Sequence, residues 1–118
     1  MRNEPDTLDA AFAALAHPAR RRMLDLLVQA PGCSVKWVTS HFDFSRIAAM
    51  KHLSVLEDAG LIISEKKGRT RELYFNSVPI QQIYDRWTSQ YGSFWAERLA
   101  DVKERVEARQ AKGERKSA

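Results

Sequence analysis

The sequence from residue 45 to residue 62 reads SRIAAMKHLSVLEDAGLI, and it predicts one complete helix followed by a change of secondary structure. Ser45 is a residue type that caps helix N-termini, and Gly60 is typical of the position just beyond a helix C-terminus. Apolar residues recur between these two ends at helical spacing. They are Ala49, Leu53 and Leu56. We therefore predict a helix from Ser45 to Ala59 whose apolar face is turned towards a core.

Three helices are predicted upstream of this one. Asp6 or Thr7 can cap the first helix, and Pro18 opens the second because proline suits the first turn of a helix. Ser34 is a suitable cap for a short third helix that extends to Phe42. The apolar positions are Leu8, Phe12 and Leu15 in the first helix, Met23, Leu24, Leu26, Leu27 and Val28 in the second, and Val35 and Val38 in the third.

Residues 41–44 separate the third and fourth predicted helices and must form a tight turn. Asp43 is predicted to adopt a left-handed conformation there, because short polar side chains tolerate that conformation better than most. Two short helices joined by such a turn have helix-turn-helix geometry. This geometry alone is a weak signal, since helical bundles also contain it.

The helical spacing of apolar residues ends after the fourth helix. Residues 61–63 and 71–75 are short β-prone runs, and the basic segment between them contains Gly68, so we predict a two-stranded hairpin. Pro79 then restarts a helix that can run past Val106.

These elements predict a mostly α-helical fold with a small β-hairpin wing, the winged helix-turn-helix. In this fold one helix lies in the major groove of DNA while the wing reaches the adjacent backbone or minor groove. We expect the domain to span residues 1–109, with a C-terminal dimerisation helix, and residues 110–118 to form a charged, disordered tail. The dimer is expected to form through the N- and C-terminal helices.

The composition is that of a globular domain with a mildly basic balance. The 118 residues suffice for one compact domain, and 44% hydrophobic and 29% charged residues exclude a disordered or membrane-embedded chain. No apolar run approaches the roughly 20 residues of a membrane span, and the polar N-terminus lacks the apolar stretch of a secretory signal. The net charge of +4 fits a polyanionic partner, and the single cysteine excludes an internal disulfide. We expect a cytoplasmic protein without a membrane partner.

The start of the fourth helix and the hairpin carry the residues that we expect to contact double-stranded DNA. The expected helix contacts are Arg46 to a guanine edge, Ile47 and Met50 to thymine methyl groups, and Ser45, Lys51 and His52 to phosphates. The hairpin adds four cations within six residues, namely Lys66, Lys67, Arg69 and Arg71. An ordinary surface charge explains any one of these cations equally well, but the whole set is better explained by a DNA-binding wing.

A stripe of aromatic and apolar residues marks the predicted C-terminal helix. Its members are Tyr84, Trp87, Tyr91, Phe94, Trp95 and Leu99. Their spacing alternates between three and four residues, as in a helix-packing seam, so we interpret the stripe as a dimer interface together with Leu8 and Phe12. A second interpretation is an apolar pocket at this interface for an unidentified small apolar effector.

Two stretches resemble signatures of the ArsR family of repressors. Residues 16–27, AHPARRRMLDLL, are similar to the family pattern hxxPxRRxIL, and residues 51–62, KHLSVLEDAGLI, are similar to KHLxxLxxAGLV. The wing and the C-terminal helix are similar to those of one branch of the family. The resemblance implies an obligate dimer, an operator near the protein's own promoter, and repression that a signal relieves. Residues 46–50 depart from the usual Gln-Ser-x-Val-Ser, so we expect a different operator sequence.

The signal is not expected to be a metal ion. One type of metal site in the family uses a Cys-x-Cys pair at the start of the third helix, but Cys33 has no second thiol beside it. Another type uses Asp and His ligands on the C-terminal helices, but no histidine follows His52. Zinc needs about four nitrogen or sulfur ligands, and the sequence offers no such cluster. A redox-responsive repressor remains open through Cys33, although a semi-buried structural cysteine is the better interpretation.

Two features of the second helix are interpreted as structural. His17 is expected to bond locally at the helix junction, and one or two arginines of Arg20–Arg22 are expected to bridge to acidic groups. Neither feature is assigned to ligand binding.

No enzyme activity and no cofactor are expected. The sequence lacks a nucleotide-binding loop, and none of the three histidines neighbours an evident nucleophile. The alternative class is a winged-helix module that joins a protein complex through its aromatic helix, and this alternative predicts a monomer with an exposed apolar patch.

Overall fold

The computed structural model describes the backbone of residues 4–88 and 92–117 and the side chains of residues 7–88, 92 and 94–113. The elements in chain order are α1 (Glu4–Leu15), α2 (Pro18–Gln29), β1 (Cys33–Ser34), α3 (Val35–Thr39), α4 (Arg46–Asp58), β2 (Ile62–Lys67), β3 (Thr70–Phe75), α5 (Val78–Thr88) and α6 (Gly92–Ser117). The order confirms the predicted mostly helical fold with a small β wing. The chain divides into two compact units, of which one ends at Gln82 and the other begins at Ile83. Within the described residues, no helix combines the length and the apolar content that a membrane crossing requires.

Side-chain caps begin α2, α3 and α4, and those of α3 and α4 are the predicted Ser34 and Ser45. The acceptors are His17 Nδ1 for the Ala19 N–H at 3.1 Å, Ser34 Oγ for the Trp37 N–H at 3.0 Å, and Ser45 Oγ for the Ala48 N–H at 3.1 Å. Each bond satisfies an N–H group that has no partner within its own helix. The local role predicted for His17 is thereby confirmed.

The C-terminal end of α4 is closed by a glycine in the left-handed conformation. Gly60 has a φ of 76° and donates its N–H to the Glu57 carbonyl at 3.0 Å, while Leu61 donates to the Leu56 carbonyl at 2.9 Å. This pair of bonds is a Schellman motif, and it ends the helix sharply. The Asn76 side chain then donates to the Gly60 carbonyl at 2.8 Å and ties the end of the hairpin to the same corner.

The sheet has three strands where the sequence predicts two. The strand order is β1-β3-β2, with Cys33 opposite Leu73 in the added pairing. A two-residue strand is too short to show the alternation that identifies strands in a sequence. The predicted hairpin itself is confirmed, with Ile62 opposite Phe75 and Lys67 opposite Thr70.

The core lies between α2 and α4 and is closed by the sheet. Its largest fully buried side chains are Met23, Leu26 and Leu27 of α2, Val38 of α3, Leu56 of α4, and Leu61. On α4 the buried residues are Ala49, Leu53 and Leu56, as predicted. Burial of each leucine contributes about 1.5–3 kcal/mol relative to exposure, so this face holds α4 in place.

The connection before α4 differs from the prediction. Helix α3 ends at Thr39 rather than Phe42, so residues 40–45 join it to α4. Among the described residues no residue other than glycine has a positive φ. The prediction of a left-handed conformation at Asp43 is therefore wrong. The longer connection explains this, because six residues turn the chain without a left-handed position.

The C-terminal region also differs from the prediction. Two helices, α5 and α6, replace the single predicted helix, and residues 89–91 between them lie outside the described residues. Helix α6 continues to Ser117, whereas a disordered tail is predicted from residue 110. The tail is rich in alanine, lysine, arginine and glutamate, which are strong helix formers, and this explains a helix in a charged segment.

Candidate nucleic-acid interface

One side of α4 is turned away from the core, beginning directly after the Ser45 cap. We call it the outer face of α4, and it consists of Arg46, Ile47, Met50, Lys51 and Ser54. Ile47 exposes 82% of its surface, although it is large and apolar. Arg46 and Lys51 are exposed and have no hydrogen bond or ion pair with any residue that the structure describes. The start of this helix therefore offers one apolar and two cationic side chains to a partner.

Met50 is half-buried because it lines a cleft between α4 and the sheet. The cleft has a volume of about 200 Å³. Its lining residues are Val35, Met50, Leu53, Ser54, Glu57, Ile62, Arg71 and Leu73. Since residues of the outer face and of β3 line the same cleft, the wing lies alongside the outer face of α4.

Three cations at the end of the hairpin are exposed: Lys66, Lys67 and Arg69. Lys66 and Arg69 make no ion pair within the described part of the chain. Lys67 Nζ lies 3.5 Å from Glu72 Oε2, which also accepts a hydrogen bond from the Tyr74 hydroxyl at 2.7 Å. That hydrogen bond lowers the pKa of Glu72 and raises the pKa of Tyr74. Exposed ion pairs of this kind are weak and are screened by salt, so Lys67 stays available to a polyanion.

Arg71, the fourth predicted wing cation, is bonded to α4 instead. Its Nη2 donates to Glu57 Oε1 at 3.0 Å and to Ser64 Oγ at 2.6 Å. The Ser64 hydroxyl donates to the same Glu57 oxygen at 2.9 Å. The structure therefore separates Arg71 from Lys66, Lys67 and Arg69, the wing cations with which the sequence groups it.

His52 lies on the opposite side of α4 from the outer face. Its ring centroid is 4.4 Å from that of His17 and 5.3 Å from that of Phe44. Arg20 Nη1 lies 3.3 Å from His52 Nδ1, and since arginine only donates, this nitrogen accepts and carries no proton. Burial lowers the pKa of His52 below its ordinary value of 6.5, and the neighbouring His17 and Arg20 lower it further. His52 thus joins α4 to the junction of α1 and α2, away from the predicted phosphate contacts.

The arginines of α2 bond to the end of α1. Arg20 donates to the carbonyls of Ala14 at 2.7 Å and Ala13 at 3.0 Å, and Arg21 donates to the carbonyl of Leu15 at 2.7 Å. Their partners are carbonyl oxygens in the last turn of α1, which lack the N–H donors of a following helical turn. The predicted bridges to acidic groups are therefore wrong for Arg20 and Arg21, which instead hold the start of α2 to the end of α1.

Cys33 is half-buried in β1, and burial raises the pKa of its thiol. The direction is opposite to that expected at a helix N-terminus, because desolvation by burial outweighs the backbone hydrogen bond that lowers the pKa of this thiol. Among the described residues no group of three or more His, Cys, Asp and Glu side chains is placed to hold a metal ion.

The predicted dimer stripe is exposed wherever the structure describes it. In the second unit Tyr84, Trp87, Phe94, Trp95 and Leu99 are exposed, and Tyr91 lies outside the described residues. In the first unit Phe12 is exposed and Leu8 is half-buried. Their exposure leaves these side chains accessible to a partner, and the dimer interface itself stays a prediction.

Sequence reasoning misses Glu57 and Ser64. Glu57 occupies a variable position of the KHLxxLxxAGLV pattern, and a glutamate near the end of a helix looks like an ordinary solvated charge. Its partners come from two different strands, and only the folded chain brings them together.

Comparison with known proteins agrees with the fold. Residues 15–65 match a helix-turn-helix domain family. The uncharacterized HTH-type transcriptional regulator YuzN of Bacillus subtilis is 41% identical over 85 residues, which cover 67% of this chain and 92% of YuzN. The transcriptional repressor SdpR of the same organism is 28% identical over 74 residues, which cover 63% of this chain and 81% of SdpR.

Solved structures extend the likeness to three dimensions. The ArsR family transcriptional regulator RHA00566 is 32% identical with a TM-score of 0.66, and the match covers 81% of this chain and 97% of that one. The homodimeric winged helix-turn-helix DNA-binding domain Mb0332 of Mycobacterium bovis shares the fold at 19% identity and a TM-score of 0.58, over 87% of this chain and 84% of that one. The fold, the site and these relatives define a DNA-binding winged helix-turn-helix transcription regulator. The chain belongs to the ArsR family.

The histidine junction generates a prediction about pH. Because the pKa of His52 is lowered on folding, the unfolded chain binds more protons between that lowered pKa and 6.5. The free energy of unfolding should therefore be highest above this window and fall as the pH falls through it. His52→Gln retains an acceptor for Arg20 without titrating, so its unfolding free energy should fall less steeply. Urea titrations of both proteins from about pH 7.5 to about pH 5 measure the difference, and parallel pH profiles would show that His52 does not contribute.

Proposed function

We propose that the chain is a homodimeric repressor that binds a two-fold symmetric operator in double-stranded DNA. The start of α4 enters the major groove, and the wing lies against the neighbouring backbone. The observation that carries this proposal is the outer face of α4, where Arg46 and Lys51 are unpaired within the described residues beside the exposed Ile47. SdpR, a relative of this chain, is named as a transcriptional repressor.

The side chains of the outer face and wing divide into base and phosphate contacts. Arg46 reads a guanine edge, because a guanidinium matches the two major-groove acceptors of guanine. Ile47 and Met50 contact thymine methyl groups. The phosphate contacts are Ser45 and Lys51 on the helix side and Lys66, Lys67 and Arg69 on the wing.

The exposed apolar stripe of α5 and α6 supports a dimer. Trp87, Phe94 and Leu99 are exposed, as dimer-forming side chains are in a single subunit. Mb0332, which shares the fold, is a homodimer. A two-fold symmetric operator requires the two α4 helices of such a dimer to lie about 34 Å apart, the spacing of successive major grooves on one side of DNA.

We further propose that repression includes the chain's own promoter and that its relief does not depend on a metal ion. The described residues hold no metal-binding group of three or more ligands, and Cys33 is a half-buried thiol of raised pKa. A small apolar effector at the aromatic stripe suits the chemistry better, because the stripe combines apolar area with tyrosine hydroxyl and indole N–H groups.

Replacing Arg46 tests base reading. Arg46→Ala should reduce the preference for an operator over the same duplex with its contacted guanine changed, by about 5- to 150-fold, the effect of losing one bidentate base contact. Lys51→Ala is the control, since loss of a phosphate contact should weaken both duplexes equally. Fluorescence anisotropy titrations measure these affinities, and an unchanged preference in Arg46→Ala would contradict base reading by this residue.

A charge in the aromatic stripe tests the dimer. Leu99→Glu should convert a dimer to a monomer at micromolar concentration, because dimerisation would bury an unpaired carboxylate. Val28→Glu is the matched control, since Val28 of α2 is 58% exposed and Leu99 is 54% exposed, but Val28 lies outside the stripe. Sedimentation velocity measures both variants. A monomeric wild-type protein would favour the alternative of a protein-interaction module.

A further inference from the structure

Three side chains connect the end of α4 to both strands of the wing. We call them the brace: Glu57 of α4, Ser64 of β2 and Arg71 of β3. The Ser64 hydroxyl donates to Glu57 Oε1 at 2.9 Å, and Arg71 Nη2 donates to the same oxygen at 3.0 Å. Arg71 Nη2 also donates to Ser64 Oγ at 2.6 Å. Each of the three side chains therefore bonds to the other two.

The donor and acceptor roles within the brace are mutually consistent. Ser64 donates its only hydroxyl proton to Glu57 and accepts from Arg71, which is the arrangement that a hydroxyl allows. Glu57 accepts twice, and charge-assisted bonds of this type are stronger than neutral ones. The hydrogen bonds therefore fix α4, β2 and β3 relative to one another, and do not merely join one pair of side chains.

The strand register places both strand residues of the brace on the sheet face that is turned towards α4. Ser64 lies opposite Leu73, and Arg71 lies opposite Lys66, so Ser64 and Arg71 share the face that lines the cleft with α4. Arg69 lies beyond them, between the two strands at the tip of the hairpin. The cations of the wing therefore fall into two groups by their partners: Arg71 is bonded to α4, whereas Lys66, Lys67 and Arg69 are not.

The charge of the brace is balanced. Glu57 and Arg71 are 41% and 47% exposed, so a phosphate can approach them, but it would meet a carboxylate 3.0 Å from the guanidinium. For Arg71 to bind that phosphate, it would have to leave Glu57 or bring two anions together. Lys66 and Arg69 make no ion pair with any residue that the structure describes.

We propose that Glu57 is a positioning residue for DNA binding, which sets the wing against the outer face of α4 and holds Arg71 away from the phosphate backbone. The proposal rests on the proposed function, in which helix and wing contact one DNA site together. Both must then reach their grooves at a fixed separation. The brace supplies this constraint, and the phosphate contacts of the wing come from Lys66, Lys67 and Arg69.

The salt dependence of DNA binding separates a brace from a phosphate contact. Each phosphate contact adds about 0.9 to the slope of log affinity against log salt concentration. The variants are Arg71→Gln, the matched control Arg69→Gln, Glu57→Gln, and Glu57→Gln with Arg71→Gln. Each variant is titrated by fluorescence anisotropy at several salt concentrations. Two labelled duplexes are used: the one that the wild-type protein selects from a random pool, and a scrambled version of it. Circular dichroism confirms that each variant folds.

The proposal predicts a different slope for each variant. Arg69→Gln lowers the slope by about 0.9, whereas Arg71→Gln leaves it nearly unchanged. Glu57→Gln raises the slope by up to about 0.9, because without the carboxylate charge the amide oxygen holds Arg71 less strongly than a phosphate does. The double variant returns to the wild-type slope. Glu57→Gln and Arg71→Gln both lower the preference for the selected duplex severalfold, because the wing loses its fixed position.

Contrary results identify which proposal fails. A slope that falls equally in Arg71→Gln and Arg69→Gln makes Arg71 a phosphate contact and overturns the brace, while DNA binding by the wing stands. An unchanged slope in Glu57→Gln, or an unchanged preference in both brace variants, also overturns it. No binding by the wild-type protein overturns the proposed function and the brace with it. No effect of Arg69→Gln overturns the phosphate contacts of the wing and the brace, while base reading by α4 stands.

Discussion

Burial of one face of α4 against α2 is the interaction on which the candidate interface depends. Leu53 and Leu56 belong to the same buried cluster as Met23 and Leu27 of α2, and together they leave α4 little freedom to rotate. The opposite side of the helix is consequently held in a fixed direction with Ile47 exposed. A side chain can select one base over another only from a fixed position, so the core is a condition of specificity as well as of stability.

Polar contacts add to this packing at the middle and near the C-terminal end of α4. His52 accepts from Arg20, which also bonds to the last carbonyls of α1, so three helices meet at one guanidinium. Glu57 bonds to both wing strands near the C-terminal end. Hydrogen bonds depend on direction, so these two sites strengthen the orientation that the packed core gives to α4.

Much of the fold follows from local sequence. Ser45 and Gly60 act through bonds to residues at most four positions away, and such signals can be read along the chain. The third strand, formed by Cys33 and Ser34, depends on pairing with a segment almost forty residues later. For the site, exposure of Arg46 and Ile47 follows from helical periodicity. The placement of His52 and Arg71 does not, because distant partners decide whether an ionisable side chain faces solvent or bonds to its own protein.

The central claim is that two copies of α4 read one symmetric DNA site. DNA selection tests it most directly: the purified full chain is mixed with a random pool of duplexes, and the bound fragments are sequenced after several rounds. The account predicts an enriched sequence with two-fold symmetry and half-sites about 10 base pairs apart from centre to centre. Recovery of fragments that share no sequence would contradict it.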